Sequence, residues 1–334
     1  MGGYQELEER LASGEVLILD GAIGTEITRL GAPAHPIAWS AEALFTHPHT
    51  VRKMHERYIK AGADIITTNT FSSHRDVLEA SGYGDQVREA NIRAVYLARE
   101  AIERAAGGRS VYLAGAISDR HVGREPSTGA LRAMSGDGYN LDPAVKEASY
   151  EEMVDHLAEE GVDFFLLENL LDQPARELCL RAAKRTGLPV WSGFSMMHTD
   201  GDAVTILDHG RKDLTLAHAI DEIMPIGGMS GMVLMHAEIP ETTAGLGVLL
   251  DRWPGPVAAY PDSLRPDWLT TWQDLSIVDR ESPKDFLNEA RKWVEMGVQV
   301  IGTCCGFGVE YIEPLKEGLP THIPNRRKVG PFSP

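Results

Sequence analysis

The feature that most constrains this chain is an alternation. Short β-branched and apolar runs recur, each followed by a stretch with apolar residues at helical spacing. The candidate strands are 16–20, 63–69, 110–117, 162–169, 189–195, 231–236, 256–260 and 298–303. Between them lie amphipathic stripes: Val51, Met54, Tyr58 and Ile59; Tyr150, Met153, Val154 and Leu157. Leu216, Ile220, Ile223 and Met224 form a third stripe, and Phe286, Ala290, Trp293 and Val294 a fourth. Helices packed on a sheet need such stripes. Eight strands, many apolar on both faces, predict a parallel α/β sheet. Closure into a (β/α)8 TIM barrel is the simplest architecture for that count. A doubly wound open sheet is the alternative, but Asp20-Gly21-Ala22-Ile23-Gly24-Thr25 stands after the first strand where a GxGxxG would belong.

The 334 residues fit one barrel of about 250 residues with long loops. We therefore expect a single domain over 1–334, with a core at about 15–316 and a tail at 317–334. Ala61-Gly62-Ala63, Glu160-Gly161-Val162 and Met296-Gly297-Val298 read as helix-to-strand turns, where glycine takes the left-handed conformation. Segments 118–141 and 261–282 are too long for simple turns. Both follow strands, which puts them on the C-terminal face, where barrel active sites lie.

Charge and cysteine content exclude several classes. The 49 acidic against 32 basic residues give a net charge of −17, the wrong sign for a nucleic-acid surface. No apolar run reaches the ~18 residues of a membrane span, and the N-terminus reads as an acidic helix rather than a signal peptide. Cys179, Cys304 and Cys305 cannot build a disulfide framework, so a reducing, cytoplasmic setting is expected.

In a barrel the residues at strand C-termini face the site. Here they are Asp20, Asn69, Ser118 and Asp119, Glu168, Ser195, His236, Tyr260 and the pair Cys304-Cys305. The set contains no lysine for a Schiff base and no His-x-His on the first strand. It does contain two adjacent thiols and an imidazole, a soft donor set suited to zinc with an open fourth position. The alternatives are two small core cysteines or a vicinal disulfide. His198, His209 and His218 are weaker candidates, and Cys179 reads as a packing residue. Asp20 and Glu168 could bind an ammonium group, act as acid and base, or anchor loop backbone.

Several ordered blocks then carry a resemblance. They are Leu19-Asp20-Gly21-Ala22-Ile23-Gly24-Thr25-Glu26; His55, Tyr58 and the run from Ala61 to Phe71; Leu166-Leu167-Glu168; Trp191-Ser192-Gly193-Phe194-Ser195; and Gly302-Thr303-Cys304-Cys305-Gly306. Over roughly residues 15–316 the chain resembles the homocysteine S-methyltransferase family, which includes the betaine–homocysteine and S-methylmethionine–homocysteine enzymes. The resemblance implies a barrel whose zinc is held by three cysteines, one after the sixth strand and two at the eighth. Cys304 and Cys305 match the latter pair, while His236 stands where the third cysteine belongs. The family's turn after the third strand is replaced by Gly115–His121, and Thr303 replaces a glycine before the cysteine pair.

The resemblance further implies Zn2+ as cofactor, with His236, Cys304 and Cys305 as its ligands here. It implies that Asp20, Gly21, Thr25, Asn69 and Glu168 bind the amino-acid end of a thiol acceptor such as homocysteine. The methyl donor would be a small onium compound, faced by aromatics such as Tyr260, Trp268 and Trp272 through cation–π attraction. An imidazole in place of a thiolate makes the centre less negative, which holds a bound thiolate more tightly and lowers its nucleophilicity. Zinc-assisted hydrolysis and a non-catalytic zinc- or thiol-binding barrel are the competing readings. The partners expected are small molecules, with no nucleic acid and no membrane; the sequence is compatible with a homo-oligomer.

Overall fold

The computed structural model describes residues 3–124, 128–135, 141–197, 204–263 and 281–324. Strands β1 (Leu17–Ile18), β2 (Ile65–Thr67) and β3 (Tyr112–Ile117) are followed by an antiparallel hairpin, β4 (Arg120–Arg124) and β5 (Leu131–Ser135). Then come β6 (Phe164–Leu167), β7 (Val190–Ser195), β8 (Met229–Met235), β9 (Val257–Tyr260) and β10 (Val300–Ile301). Outside the hairpin, eight strands form one sheet in the order β1-β10-β9-β8-β7-β6-β3-β2, every pairing parallel. The remaining seam, between β1 and β2, is shut by a parallel bridge from Leu19 to Ile65. Across it Asp20 N donates to the Ile65 carbonyl at 2.9 Å, and Asp64 N to the Ile18 carbonyl at 2.7 Å. This is the (β/α)8 barrel that the alternation predicts.

Each of the eight expected strands is present; seven are shortened, and the one expected at 231–236 runs from Met229 to Met235. The hairpin is an addition: it lies in the segment 118–141, whose mixed polar sequence shows no buried face to read. The predicted helical stripes are buried, with one exception. Met224 is 37% exposed because its helix stops at Ile223 and tightens into a 3-10 turn over Met224–Ile226. Gly62 and Gly297 end the helices Pro48–Ala61 and Pro283–Met296 with φ of 114° and 110°, in the left-handed region that glycine enters at least cost.

Two buried layers result. One lies between sheet and helices. The other fills the barrel, where inward-facing Leu19, Ile65, Phe164, Trp191, Val233 and Val300 pack together. The helix Tyr4–Ala12 presses Leu7 and Leu11 against this inner cluster, and Trp191 Nε1 donates to the Tyr4 hydroxyl at 2.9 Å. At the same seam the buried Asp64 carboxylate accepts from Ile18 N at 3.0 Å and from Lys316 Nζ at 2.9 Å. No helix among the described residues is long and apolar enough to cross a membrane.

Candidate active site

The C-terminal ends of the barrel strands open into a cavity. Asp20, Gly21, Asn69, Glu168, Tyr260, His236, Cys304 and Cys305 all line it. Seven of the eight proposed substrate or metal residues thus share one cavity. Thr25 does not line it: it sits on the helix Ile23–Arg29, buried, with no hydrogen-bond partner for its hydroxyl.

The two carboxylates differ. Asp20 is only 2% exposed and is already committed, accepting from Thr67 N at 2.8 Å and from the Thr67 hydroxyl at 3.2 Å. Burial pushes its pKa well above the usual carboxylate range, and the Thr67 bonds oppose that shift. Glu168 is half-buried, and enclosure by protein pushes its pKa up to about 7, with the Tyr260 hydroxyl beside it pulling the other way. Near neutrality Glu168 is therefore poised between its two forms, and a cation in the cavity would draw it to the carboxylate.

Asn69 is tied at both ends of its amide. It accepts from the Ser40 hydroxyl at 2.8 Å and donates to the Ser40 carbonyl at 2.9 Å. That clamp holds the neighbouring Trp39 in the cavity wall at φ 48°. Trp39 meets Phe71 edge-to-face with ring centroids 5.6 Å apart, and Phe71 stands 6.1 Å from the His236 ring. Asn169 and His236 also adopt positive φ, at 52° and 47°. Among the described residues these are the only non-glycine positions that do so, and all three lie in or beside the cavity. Such conformations persist where the surrounding structure over-determines them.

At the other side His236 Nδ1 lies 3.6 Å and Nε2 4.0 Å from Cys304 Sγ, and Nδ1 lies 3.9 Å from Asp262 Oδ2. All three cysteines are free thiols. Burial lowers the His236 pKa to about 4, so the ring is neutral and a lone pair is available. Among the described residues no three His, Cys, Asp or Glu side chains stand grouped to hold a metal ion. The His236–Cys304 pair is nonetheless spaced for one. In tetrahedral zinc, with Zn–S of about 2.3 Å and Zn–N of about 2.0–2.1 Å, sulfur and nitrogen stand ~3.5 Å apart. The 3.6 Å between His236 Nδ1 and Cys304 Sγ meets that spacing, and Cys305 supplies a second thiol next to the first.

The other strand-end candidates lie outside the cavity lining. Asp119 belongs to a buried ionic cluster: Tyr150 donates to it at 2.6 Å, and Lys146 Nζ lies 3.4 Å from it and 2.8 Å from Asp172. Burial raises the Asp119 pKa to about 6, against the pull of Lys146. Ser118 donates to the Phe71 carbonyl at 2.6 Å, and Ser195 is buried without a hydrogen-bond partner for its hydroxyl. His209 is exposed, and His218, also exposed, lies 3.1 Å from Glu222. Cys179 is wholly buried in the sheet–helix layer. His198, Trp268 and Trp272 lie outside the described residues. Among the described residues the aromatic lining is Tyr260, as expected, with Trp39 and Phe71, which sequence reasoning did not select. Phe71 stood two residues beyond Asn69 in a quoted block; for Trp39 no periodicity or motif gave a signal.

Comparison with known proteins adds four findings. The model of the homocysteine S-methyltransferase family matches residues 17–319. The selenocysteine methyltransferase of Astragalus bisulcatus is 27% identical over 324 residues, covering 88% of this chain and 89% of its own length. The betaine–homocysteine S-methyltransferase 1 of Danio rerio is 25% identical, covering 96% of this chain and 76% of its own length. Among solved structures, the metallated form of the homocysteine methyltransferase MmuM from Escherichia coli superposes with a TM-score of 0.70. It is 21% identical and covers 93% of this chain and 99% of its own, a likeness of fold.

Proposed function

This chain belongs to the homocysteine S-methyltransferase family, and from that premise we propose that it moves a methyl group from a small onium donor to the thiol of homocysteine, with Zn2+ held by His236, Cys304 and Cys305. One observation carries the reading. An imidazole and a thiol lie 3.6 Å apart in the same cavity as the carboxyl groups of Asp20 and Glu168 and an aromatic wall. When bound, zinc supplies stabilisation of the acceptor's thiolate at neutral pH.

The chain's own groups do the rest. Glu168 receives the acceptor's ammonium group, and that charge keeps it ionised. Asp20, fixed by Thr67, stands as a second carboxyl group in the same cavity. Gly21 lines the cavity with backbone alone, and Asn69 holds Ser40 and so the position of Trp39. Trp39, Phe71 and Tyr260 face the onium methyl through their negative ring faces and exclude water from it. The acceptor sulfur forms a bond to the methyl carbon as the carbon–onium bond breaks. The electron pair of that bond stays on the former onium atom, and the thiol proton has already left to solvent. Positioning of the two reactants in line supplies much of the acceleration.

The test is zinc analysis of the purified protein, then incubation of homocysteine with a panel of sulfonium and quaternary ammonium donors, read by mass spectrometry. Methionine appearing with one donor class is the expected result. Tight thiol binding with no transfer from any donor would favour a non-catalytic barrel instead.

A further inference from the structure

We propose that Met235 is a positioning residue for the acceptor's end of the cavity: its thioether sulfur accepts hydrogen bonds from the Tyr260 hydroxyl and the Asn169 amide, and so leaves the Glu168 carboxyl group to the acceptor's ammonium. The proposal rests on the reading of Glu168 as the group that receives that ammonium.

Met235 is the last residue of β8, wholly buried among the inward-facing side chains that fill the barrel. It does not itself line the cavity, but it touches two elements that do. Tyr260 is its partner in the β8–β9 register, and the Tyr260 hydroxyl donates to Met235 Sδ at 3.2 Å. On the other side β7 stands between β8 and β6, and the thioether crosses it at Gly193. A Cβ there would stand 2.0 Å from Met235 Cε and 2.9 Å from Sδ. Across that gap Asn169 N donates to Met235 Sδ at 3.4 Å.

Both bonds bear on Glu168. Its own N donates to the Ile117 carbonyl at 2.8 Å, and Asn169 N donates to the sulfur, so the peptide units before and after Glu168 are each fixed. Asn169 then turns at φ 52°, and the Leu170 carbonyl accepts from Arg176 Nη2 at 2.5 Å. The Tyr260 hydroxyl also stands beside the Glu168 carboxyl group, but a phenol has a single proton to give. While that proton points at sulfur, Glu168 keeps its acceptor positions for a cation in the cavity. A thioether is a weak, uncharged acceptor, so it steers the hydroxyl without setting a charge beside the carboxyl group. Hydrocarbon in place of the sulfur would turn the hydroxyl to Glu168, and an arriving ammonium would then have to displace it.

Calorimetry on the full chain supplied with Zn2+ tests this with two thiols, L-homocysteine and 4-mercaptobutanoate, the same acid without its ammonium group. The proteins are wild type, Met235→Leu, Met235→Ile, Tyr260→Phe and the double variant Met235→Leu with Tyr260→Phe, each melted to show that it is folded. Leucine and isoleucine replace the sulfur by hydrocarbon of similar volume. We expect the two Met235 variants to lose about 3–10-fold in affinity for homocysteine and to bind 4-mercaptobutanoate as wild type does. In the Tyr260→Phe background the Leu substitution should cost homocysteine nothing further. Equal losses for both thiols, no loss for either, or a loss undiminished without the hydroxyl would overturn the role of Met235 and leave the reading of Glu168 standing. Unfolding of both Met235 variants would make Met235 a packing residue and overturn it too. A wild type that does not prefer homocysteine over 4-mercaptobutanoate would remove the reading of Glu168 and this inference together.

Discussion

Asn69 and Ser40 close on each other twice, the Ser40 hydroxyl donating to Asn69 Oδ1 at 2.8 Å and Asn69 Nδ2 donating to the Ser40 carbonyl at 2.9 Å. Both residues are buried, so the pair works as an internal brace for the turn that presents Trp39. Asn69→Ala leaves a buried hydroxyl and carbonyl without those bonds, a loss of about 1–3 kcal/mol. The expected outcome is a lower melting temperature together with a raised KM for the methyl donor and little change in KM for the thiol. Equal effects on both KM values would mean that the brace does not act through Trp39.

Gly21 has no space for a side chain. A Cβ there would stand 2.5 Å from Thr303 Oγ1 and 2.9 Å from the Tyr58 hydroxyl. Gly21→Ala should therefore destabilise the protein by about 1–3 kcal/mol through overpacking. Because Thr303 makes the shorter contact, adding Thr303→Gly should recover part of that loss. A denaturation cycle on the four proteins checks it, and strict additivity would count against the contact.

The carboxyl of Glu168 offers a pH signature. Its folded pKa of about 7 lies above the ordinary 4.5, so between those values the folded state binds more protons than the unfolded one. Stability from this group is then fully present below 4.5 and is lost as pH rises through about 7. Glu168→Gln removes the ionisation, and it should be more stable than wild type at pH 8 by about 1–3 kcal/mol. At acid pH the two should converge. The same variant should bind the thiol acceptor more weakly at neutral pH, because the ammonium group loses its counter-ion.

Lys146 Nζ lies 3.4 Å from Asp119 and 2.8 Å from Asp172, all three nearly excluded from water. Lys146→Met leaves two buried carboxylates facing each other, and breaking a buried pair in this way costs about 3–5 kcal/mol. The loss should shrink as pH falls and Asp119, whose pKa is about 6, takes up a proton. Thermal melts of wild type and variant across that range provide the check.

The barrel was legible because its strands are buried on both faces, so 63–69 or 162–169 read as apolar runs rather than as faint alternations. Once eight such runs were in place, their C-terminal ends gathered Asp20, Asn69, Glu168, His236 and Cys304-Cys305 around one cavity. What escaped was held by tertiary geometry. The hairpin β4–β5 is built from Arg120–Arg124 and Leu131–Ser135, whose partly exposed residues carry no hydrophobic pattern. Trp39 enters the cavity through a left-handed backbone turn braced from Asn69, 30 residues on, which no local rule selects. Asp262 comes to 3.9 Å from His236 only because the turns after β8, β9 and β10 hydrogen-bond to one another.

The seam at Asp64 sets when this molecule can be completed. β1 sits between β10 and β2, so the earliest strand to leave the ribosome finds one neighbour almost at once and must wait nearly a chain length for the other. Lys316 reaches Asp64 across 252 positions, and contacts of such long sequence separation form late and slow the search. Until β10 is made, β1 lacks its second neighbour and its backbone groups on that flank have no strand to pair with.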